Sequence, residues 1–142
     1  AGHLEAVAAG PAIARLARAG LGDRRYAGSV LHAVRDELDA RAVARAADDG
    51  DQLARETLGT VGARLGAALV AVALCLDPAV ICLGGGVAQA GAALWDPVRE
   101  AVAAHPLLET QVERSVHEAD SALVGAVLHA RTLTGAYAKV AS

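Results

Sequence analysis

The chain has 142 residues, of which 54% are hydrophobic and 20% charged, a balance that fits one folded domain and excludes an intrinsically disordered segment. Its formal net charge is -3, and its basic residues are scattered among the acids, so no stripe of positive charge points to nucleic acid. Phenylalanine and methionine are absent and Trp95 is the single tryptophan, so we expect a core of small aliphatic side chains at close helix contacts.

Residues 4–19 are predicted to form a helix with a break near Gly10 and Pro11, because glycine weakens a helix and proline lacks a backbone donor. Two short helices and one kinked helix fit this pattern equally well. In residues 29–50, apolar side chains recur at roughly helical spacing among charges, which predicts a surface helix or a helical pair.

The strongest helical pattern follows Asp51, which is a natural N-cap, and continues to Leu76. Its later half is apolar on every side, which predicts a helix buried in the middle of the fold. Glycines at positions 59, 62 and 66 lower helix propensity, so we expect a neighbouring element to approach the backbone closely there.

The stretch "AVICL" at residues 79–83 is β-branched and apolar on both faces, which predicts a buried strand. After the glycines at 84–86, Asp96 and Pro97 are predicted to begin a helix as its cap and its first helical residue. Residues 110–117 are a weaker strand candidate, and a last helix is expected after Asp120 or Ser121. The alternation of helices with few strands predicts an α/β fold.

The two cysteines, Cys75 and Cys82, lie in apolar sequence, where a thiol behaves as a small hydrophobe, and they favour a reducing compartment. The chain opens without a charged and then apolar leader, and the apolar stretch at residues 65–76 is too short to cross a bilayer. We therefore expect a cytoplasmic protein with no membrane partner.

The run "ICLGGGVAQAG" at residues 81–91 takes an apolar strand into three glycines and then toward a helix. Such a connection exposes backbone N–H groups at the carboxyl end of a sheet, where nucleotides bind in α/β folds. The spacing is neither G-x-G-x-x-G nor a phosphate loop, and a tight turn remains the alternative interpretation. Three glycines exceed what a turn requires, so the ligand interpretation stays open.

Four segments in their order and spacing resemble the carboxyl-terminal half of the ROK family of repressors, open reading frames and kinases: "GHLEAVAAGPAI", "GARLGAALVAVALCLDPAVICLGGGVAQAG", "DPVREAV" and "ADSALVGAVLHA". The resemblance implies a helix-rich carboxyl-terminal lobe of an actin-like, ribonuclease-H-like ATPase fold. Residues 1–142 would then be a single fragment whose amino-terminal lobe is absent. It also implies sugar and ATP as partners, because the family's kinases phosphorylate hexoses or amino sugars with ATP and magnesium.

By the same resemblance, Gly84, Gly85 and Gly86 would lie against the adenosine side of ATP, where side chains would collide with the nucleotide. Glu5 would accept hydrogen bonds from sugar hydroxyls, a task that suits the two oxygens of a carboxylate. An exposed glutamate in a first helical turn is the alternative. His3 stands where the family carries the last cysteine of a zinc cluster, but the other ligands would precede residue 1.

The leading hypothesis is therefore the carboxyl-terminal lobe of a glucokinase-like sugar kinase, inactive as this fragment because the phosphate loop and the general base would lie upstream. The first alternative is the sugar-binding, dimerising part of a ROK transcriptional repressor, which would bind DNA only through an upstream helix-turn-helix. The second is a purely structural interaction domain. We also expect the isolated chain to form a homo-oligomer, because an all-round apolar helix and a small sheet leave surface to be covered.

Overall fold

A computed structural model describes residues 4–117 and 120–140. Within these residues the structure has six α-helices and a sheet of two parallel strands. Their bounds in chain order are α1 Glu5–Ala8, α2 Gly10–Gly20, α3 Ala40–Asp48, α4 Gln52–Leu76, β1 Val80–Leu83, α5 Ala92–Ala103, β2 Gln111–Arg114 and α6 Ser121–Val140. The structure thus confirms a helix-rich α/β chain with few strands.

The predicted break in the first helix is a complete separation into α1 and α2. Ala9 between them is extended, with φ -86° and ψ 163°, and Pro11 stands in the first turn of α2, where its missing N–H is not needed. Residues 29–50 form a pair as well: a 3-10 helix at Val30–Val34 and then α3, whose cap Asp39 accepts a hydrogen bond from the Ala42 N–H at 2.7 Å.

Helix α4 begins where the sequence predicts, because Asp51 Oδ1 accepts a hydrogen bond from the Ala54 N–H at 2.9 Å. Its glycines meet α5 as expected. A Cβ atom on Gly62 would overlap the carbonyl oxygen of Leu94, and one on Gly66 would lie 2.6 Å from the Ala101 Cβ. The absence of side chains at these two positions is therefore what lets α4 and α5 pack backbone against backbone.

The core consists of two apolar clusters, and α4 and α5 each contribute side chains to both. The first joins α2, α3 and the first half of α4 and includes Val43, Leu58 and Leu94. The second joins the later half of α4, α5 and the sheet and includes Trp95 and Val98. The adjacent residues Leu94 and Trp95 belong to different clusters, so α5 connects the two parts of the core.

The start of α5 differs from the prediction, because the helix begins at Ala92 with Gly91 as its cap, and Pro97 lies inside it. Trp95 explains the early start: its side chain is 3% exposed and its backbone N–H donates to the Gly91 carbonyl at 3.3 Å. Burial of the indole favours this start, because it places a large apolar side chain of the first turn in the core, although Pro97 removes one intrahelical bond.

The later half of α4 was expected to be buried on every side, and this is wrong for the described residues. Val72, Leu74 and Leu76 are 44%, 49% and 72% exposed. Helix α5 packs closely on α4 at Gly66, whereas these three side chains near the end of α4 stay exposed. The whole of α4 is long and apolar enough to cross a membrane, although the stretch at 65–76 alone is too short. One third of the most apolar window of α4 is buried inside the molecule.

Strand β1 was correctly predicted, but its burial was not, because Val80 is 53% exposed and Ile81 and Leu83 are only half-buried. One described strand pairs with it: β2, in parallel, with Val80 opposite Gln111. The free cysteines Cys75 and Cys82 are likewise exposed rather than buried among apolar side chains. We call the exposed end of α4 together with the exposed side chains of β1 the open face; it comprises Val72, Leu74, Cys75, Leu76, Val80 and Cys82.

Candidate functional site

The glycine turn, residues 84–86, leaves the carboxyl end of β1, where ligands bind in α/β sheets. Gly85 has φ +93°, a conformation that strains any residue with a side chain, so the backbone itself explains this glycine. Gly86 has φ -64° and ψ -33°, which any residue adopts, and a Cβ atom there would meet no described atom within 4 Å. Neither backbone strain nor packing therefore accounts for glycine at position 86.

A cavity of about 280 Å³ adjoins the glycine turn, and both Glu5 and Gly84 line it. We call it the Glu5 cavity. The predicted sugar-binding and nucleotide-binding residues, which are 79 positions apart in the chain, thus share one cavity. Helix α1 brings Glu5 there, and the remaining lining is apolar: Leu4, Ala8, Ala9, Leu65, Leu83, Val87, Ala88, Leu94, Trp95 and Val98.

A larger groove of about 960 Å³ is lined by Gly86 and the residues that follow it, Val87, Gln89 and Ala90. Helices α2 and α3 and the residues before α3 complete the lining and contribute three arginines, Arg18, Arg41 and Arg45, together with two acids, Asp39 and Asp48. These charged side chains carry an excess of one positive charge. We call this space the arginine groove; its guanidinium groups are suited to flat, anionic ligands.

Backbone carbonyls just beyond the glycines accept hydrogen bonds from two side chains that the sequence analysis did not single out. Trp95 Nε1 donates to the Ala88 carbonyl at 3.0 Å, and Arg114 Nη2 donates to the Ala90 carbonyl at 2.9 Å. The position of Arg114 explains its contact with this segment, because Arg114 is the last residue of β2 and pairs with Leu83, the residue before the turn.

Metal binding at this site finds no support within the described residues. They contain no group of three or more His, Cys, Asp or Glu side chains placed to hold a metal ion. His3, the candidate zinc ligand, lies outside the described residues. Shifted pKa values occur elsewhere, at Asp23, Arg25, Tyr26 and Glu56, none of which lines the Glu5 cavity or the arginine groove.

Comparison with known proteins gives a consistent result. The model of the ROK family matches residues 1–133. The chain is similar to a glucokinase from Halalkalibacterium halodurans, with 34% identity over 75% of this chain and 32% of that protein. It is also similar to a glucokinase from Thermotoga maritima, with 33% identity over 71% of this chain and 32% of that protein. The chain thus spans about a third of the length of these relatives.

Two solved structures resemble this chain over most of its length. One is a ROK family glucokinase from Streptomyces griseus in complex with glucose and AMPPNP, with a TM-score of 0.76 and 26% identity over 88% of this chain and 43% of that chain. The other is a ROK hexokinase from Thermus thermophilus, with a TM-score of 0.65 and 28% identity over 89% of this chain and 40% of that chain. The fold described above is therefore that of part of such a protein.

Proposed function

This chain belongs to the ROK family, and we propose that it is the carboxyl-terminal lobe of a kinase that transfers a phosphoryl group from ATP to a hexose or an amino sugar. The observation that carries the proposal is the position of the glycine turn. It contributes Gly84 to a cavity that holds one carboxylate and Gly86 to a groove that holds three arginines. A sugar and a nucleotide bound in these two spaces would both lie against the turn.

The Glu5 cavity is the proposed sugar side. Gly84, which the resemblance placed with Gly85 and Gly86 against the adenosine, lines this cavity, and Gly85 lines neither the cavity nor the groove. Glu5 is exposed at the start of α1, so both carboxylate oxygens are free to accept hydrogen bonds from adjacent sugar hydroxyls. The apolar lining, Trp95 included, suits the C–H faces of a sugar ring. Glucose bound to the Streptomyces griseus protein supports this class of ligand.

The arginine groove is the proposed nucleotide side. Gly86 offers bare backbone there, and the space that its missing side chain leaves is open to a ligand. An adenosine group fits such a surface, because a flat ring packs closely on a backbone without Cβ atoms. The planar guanidinium groups of Arg41 and Arg45 on α3 suit both a base and a phosphate, whereas that of Arg18 on α2 donates to the carbonyls of Arg35 and Leu38. The relative with AMPPNP supports a nucleotide as ligand.

A second lobe would supply the rest of the reaction. Phosphoryl transfer depends on positioning the phosphate and neutralising its charge, and magnesium provides part of that charge when bound. The phosphate loop and the general base would come from that second lobe, as the resemblance to the ROK family implies. We propose that this lobe covers the open face, since exposed apolar side chains there leave surface unburied.

The repressor alternative shares the sugar side but has no use for a nucleotide. Because a repressor half would bind sugar through Glu5 without occupying the arginine groove, nucleotide binding separates the two functions.

The proposed homo-oligomer is measurable on the chain alone by light scattering. A monomer at high concentration would count against it.

The decisive experiment reunites the two lobes. The chain would be fused to the amino-terminal part of the Thermotoga maritima glucokinase, and the hybrid titrated calorimetrically with glucose, N-acetylglucosamine and AMPPNP while ADP release is followed in a coupled assay. We expect binding of one sugar, binding of AMPPNP and sugar-dependent ADP release. A hybrid with native-like circular dichroism that shows neither heat nor a thermal shift with any ligand would refute the proposal. The chain alone serves as the inactive control.

A further inference from the structure

We infer that Trp95 and Arg114 are positioning residues that hold the glycine turn in the geometry that receives a nucleotide. This inference rests on the proposed function and names the side chains on which the nucleotide site depends. The sequence analysis named Trp95 only as the single tryptophan and did not name Arg114. We call the two side chains together the clamp.

The segment between the glycine turn and α5 needs such donors. It contains only a short 3-10 helix, Val87–Gln89, with two backbone hydrogen bonds: Gln89 N–H to Gly86 O at 3.3 Å and Ala90 N–H to Val87 O at 3.1 Å. Ala88 and Ala90 are 6% and 3% exposed. Buried carbonyls without partners are costly, so the bonds from the clamp stabilise one conformation of this segment.

The two clamp residues act together. The Arg114 guanidinium carbon lies 5.2 Å from the centre of the Trp95 ring, so one planar group contacts the indole and donates to Ala90 at the same time. The indole in turn donates to Ala88. Lysine has no planar group to stack in this way and would reproduce only part of the contact. Because Arg114 ends β2, the clamp also ties the edge of the sheet to the turn.

The position of the clamp links it to binding rather than to the core alone. Trp95 lines the Glu5 cavity, whereas Ala90, which Arg114 holds, lines the arginine groove. A movement of Gln89 and Ala90 would therefore displace the wall of the groove, while Glu5 on α1 and Ala88, which Trp95 still holds, would keep the Glu5 cavity in place. Loss of Arg114 should weaken nucleotide binding and leave sugar binding unchanged.

The chain provides a matched control in Arg99. Its guanidinium carbon lies 5.3 Å from the centre of the same ring, and like Arg114 it is exposed. Among the described hydrogen bonds, however, none runs from Arg99 to the segment after the glycine turn. Arg114→Met and Arg99→Met therefore each remove one guanidinium contact with the Trp95 ring, and only Arg114→Met also removes a hydrogen bond to the segment after the glycine turn.

The test uses the two-lobe hybrid and measures kcat and KM for ATP and for sugar. Arg114→Met should raise the KM for ATP roughly five- to tenfold, about the effect of one net hydrogen bond, with the sugar KM unchanged. Arg114→Lys should recover part of the loss, and Arg99→Met should match the unaltered protein. Equal ATP KM values for Arg114→Met and Arg99→Met, or a parallel rise in the sugar KM, would overturn the inference.

Hydrogen exchange on the chain alone separates this inference from the proposed function. The Gln89 and Ala90 amides should exchange faster in Arg114→Met than in Arg99→Met, whether or not a nucleotide binds. If the unaltered hybrid binds no nucleotide, the proposed function fails and the exchange result still decides whether the clamp holds the turn. If Arg114→Met does not fold, Trp95→Phe, which keeps a ring and removes the indole donor, should give the same rise in KM for ATP; an unchanged value would refute the inference.

Discussion

Replacement of Gly86 by alanine separates a structural from a binding role for the glycine turn. The backbone at position 86 is right-handed, with φ -64° and ψ -33°, and an added Cβ would meet no described atom within 4 Å. Alanine at such a position lowers the entropy of the unfolded chain, so Gly86→Ala should stabilise the fold by about 0.4–1 kcal/mol. By its protein contacts alone, the substitution is favourable.

The same methyl group should weaken nucleotide binding. It would project into the space that the proposed adenosine occupies, and forcing a methyl into a packed contact costs roughly 1–3 kcal/mol. That free energy corresponds to a loss of affinity on the order of 5- to 150-fold. Calorimetric titration of the hybrid with AMPPNP measures the affinity, and urea denaturation of the chain measures the stability.

Gly85→Ala is the matched comparison, because the left-handed φ of +93° at that position should make alanine destabilising by about 1–2 kcal/mol. The sugar affinity of Gly86→Ala should not change. The reasoning would be refuted if Gly86→Ala were stabilised and bound AMPPNP as tightly as the unaltered hybrid. In that case the open space at Gly86 would not face the nucleotide.

Contacts elsewhere in the fold support three further predictions. Gly62→Ala should destabilise the chain by about 1–3 kcal/mol in urea denaturation because its Cβ would overlap α5, whereas Gly59→Ala should stabilise it by up to about 1 kcal/mol. Glu5→Gln should lower calorimetric sugar affinity by roughly 10- to 100-fold, the effect of a charged hydrogen bond, and leave AMPPNP affinity unchanged. Tyr26→Phe should flatten the decline of Tm as the pH falls below about 4.5.

The prediction for Tyr26→Phe depends on the direction in which the pKa of Glu56 is shifted. The Tyr26 hydroxyl donates to Glu56 and, with a second hydrogen bond from Gln52, holds the pKa of the Glu56 carboxyl below its usual value of 4.5. A lowered folded-state pKa stabilises the fold above 4.5 and loses that contribution as the pH falls through the folded-state value. Identical Tm profiles for Tyr26→Phe and the unaltered chain would contradict this account.

Equal stability of Gly62→Ala and Gly59→Ala would contradict the helix contact, and unchanged sugar affinity in Glu5→Gln would remove Glu5 from the site.

Much of the local structure was readable from the residues, because its causes lie within a few positions of each other. The cap at Asp51 depends on a side chain reaching an N–H three residues away, and Pro11 limits its own backbone and that of its neighbour. The glycines of α4 pointed to a close neighbour without naming it. The resemblance to the ROK family was likewise carried by contiguous segments, and the family match confirms it.

The sequence by itself therefore determined the helices, the strands, the turn with its glycines and the family. Only the tertiary structure decided that Pro97 lies within α5, because the burial of Trp95 in the first turn of that helix depends on packing against other elements. It also decided that β1 and the end of α4 are exposed. Burial depends on which other elements cover a strand or a helix, and the composition of the segment does not specify them. The shared cavity of Glu5 and Gly84 and the contact of Arg114 with the turn join residues far apart in the chain, and such distances follow from the packing of whole elements.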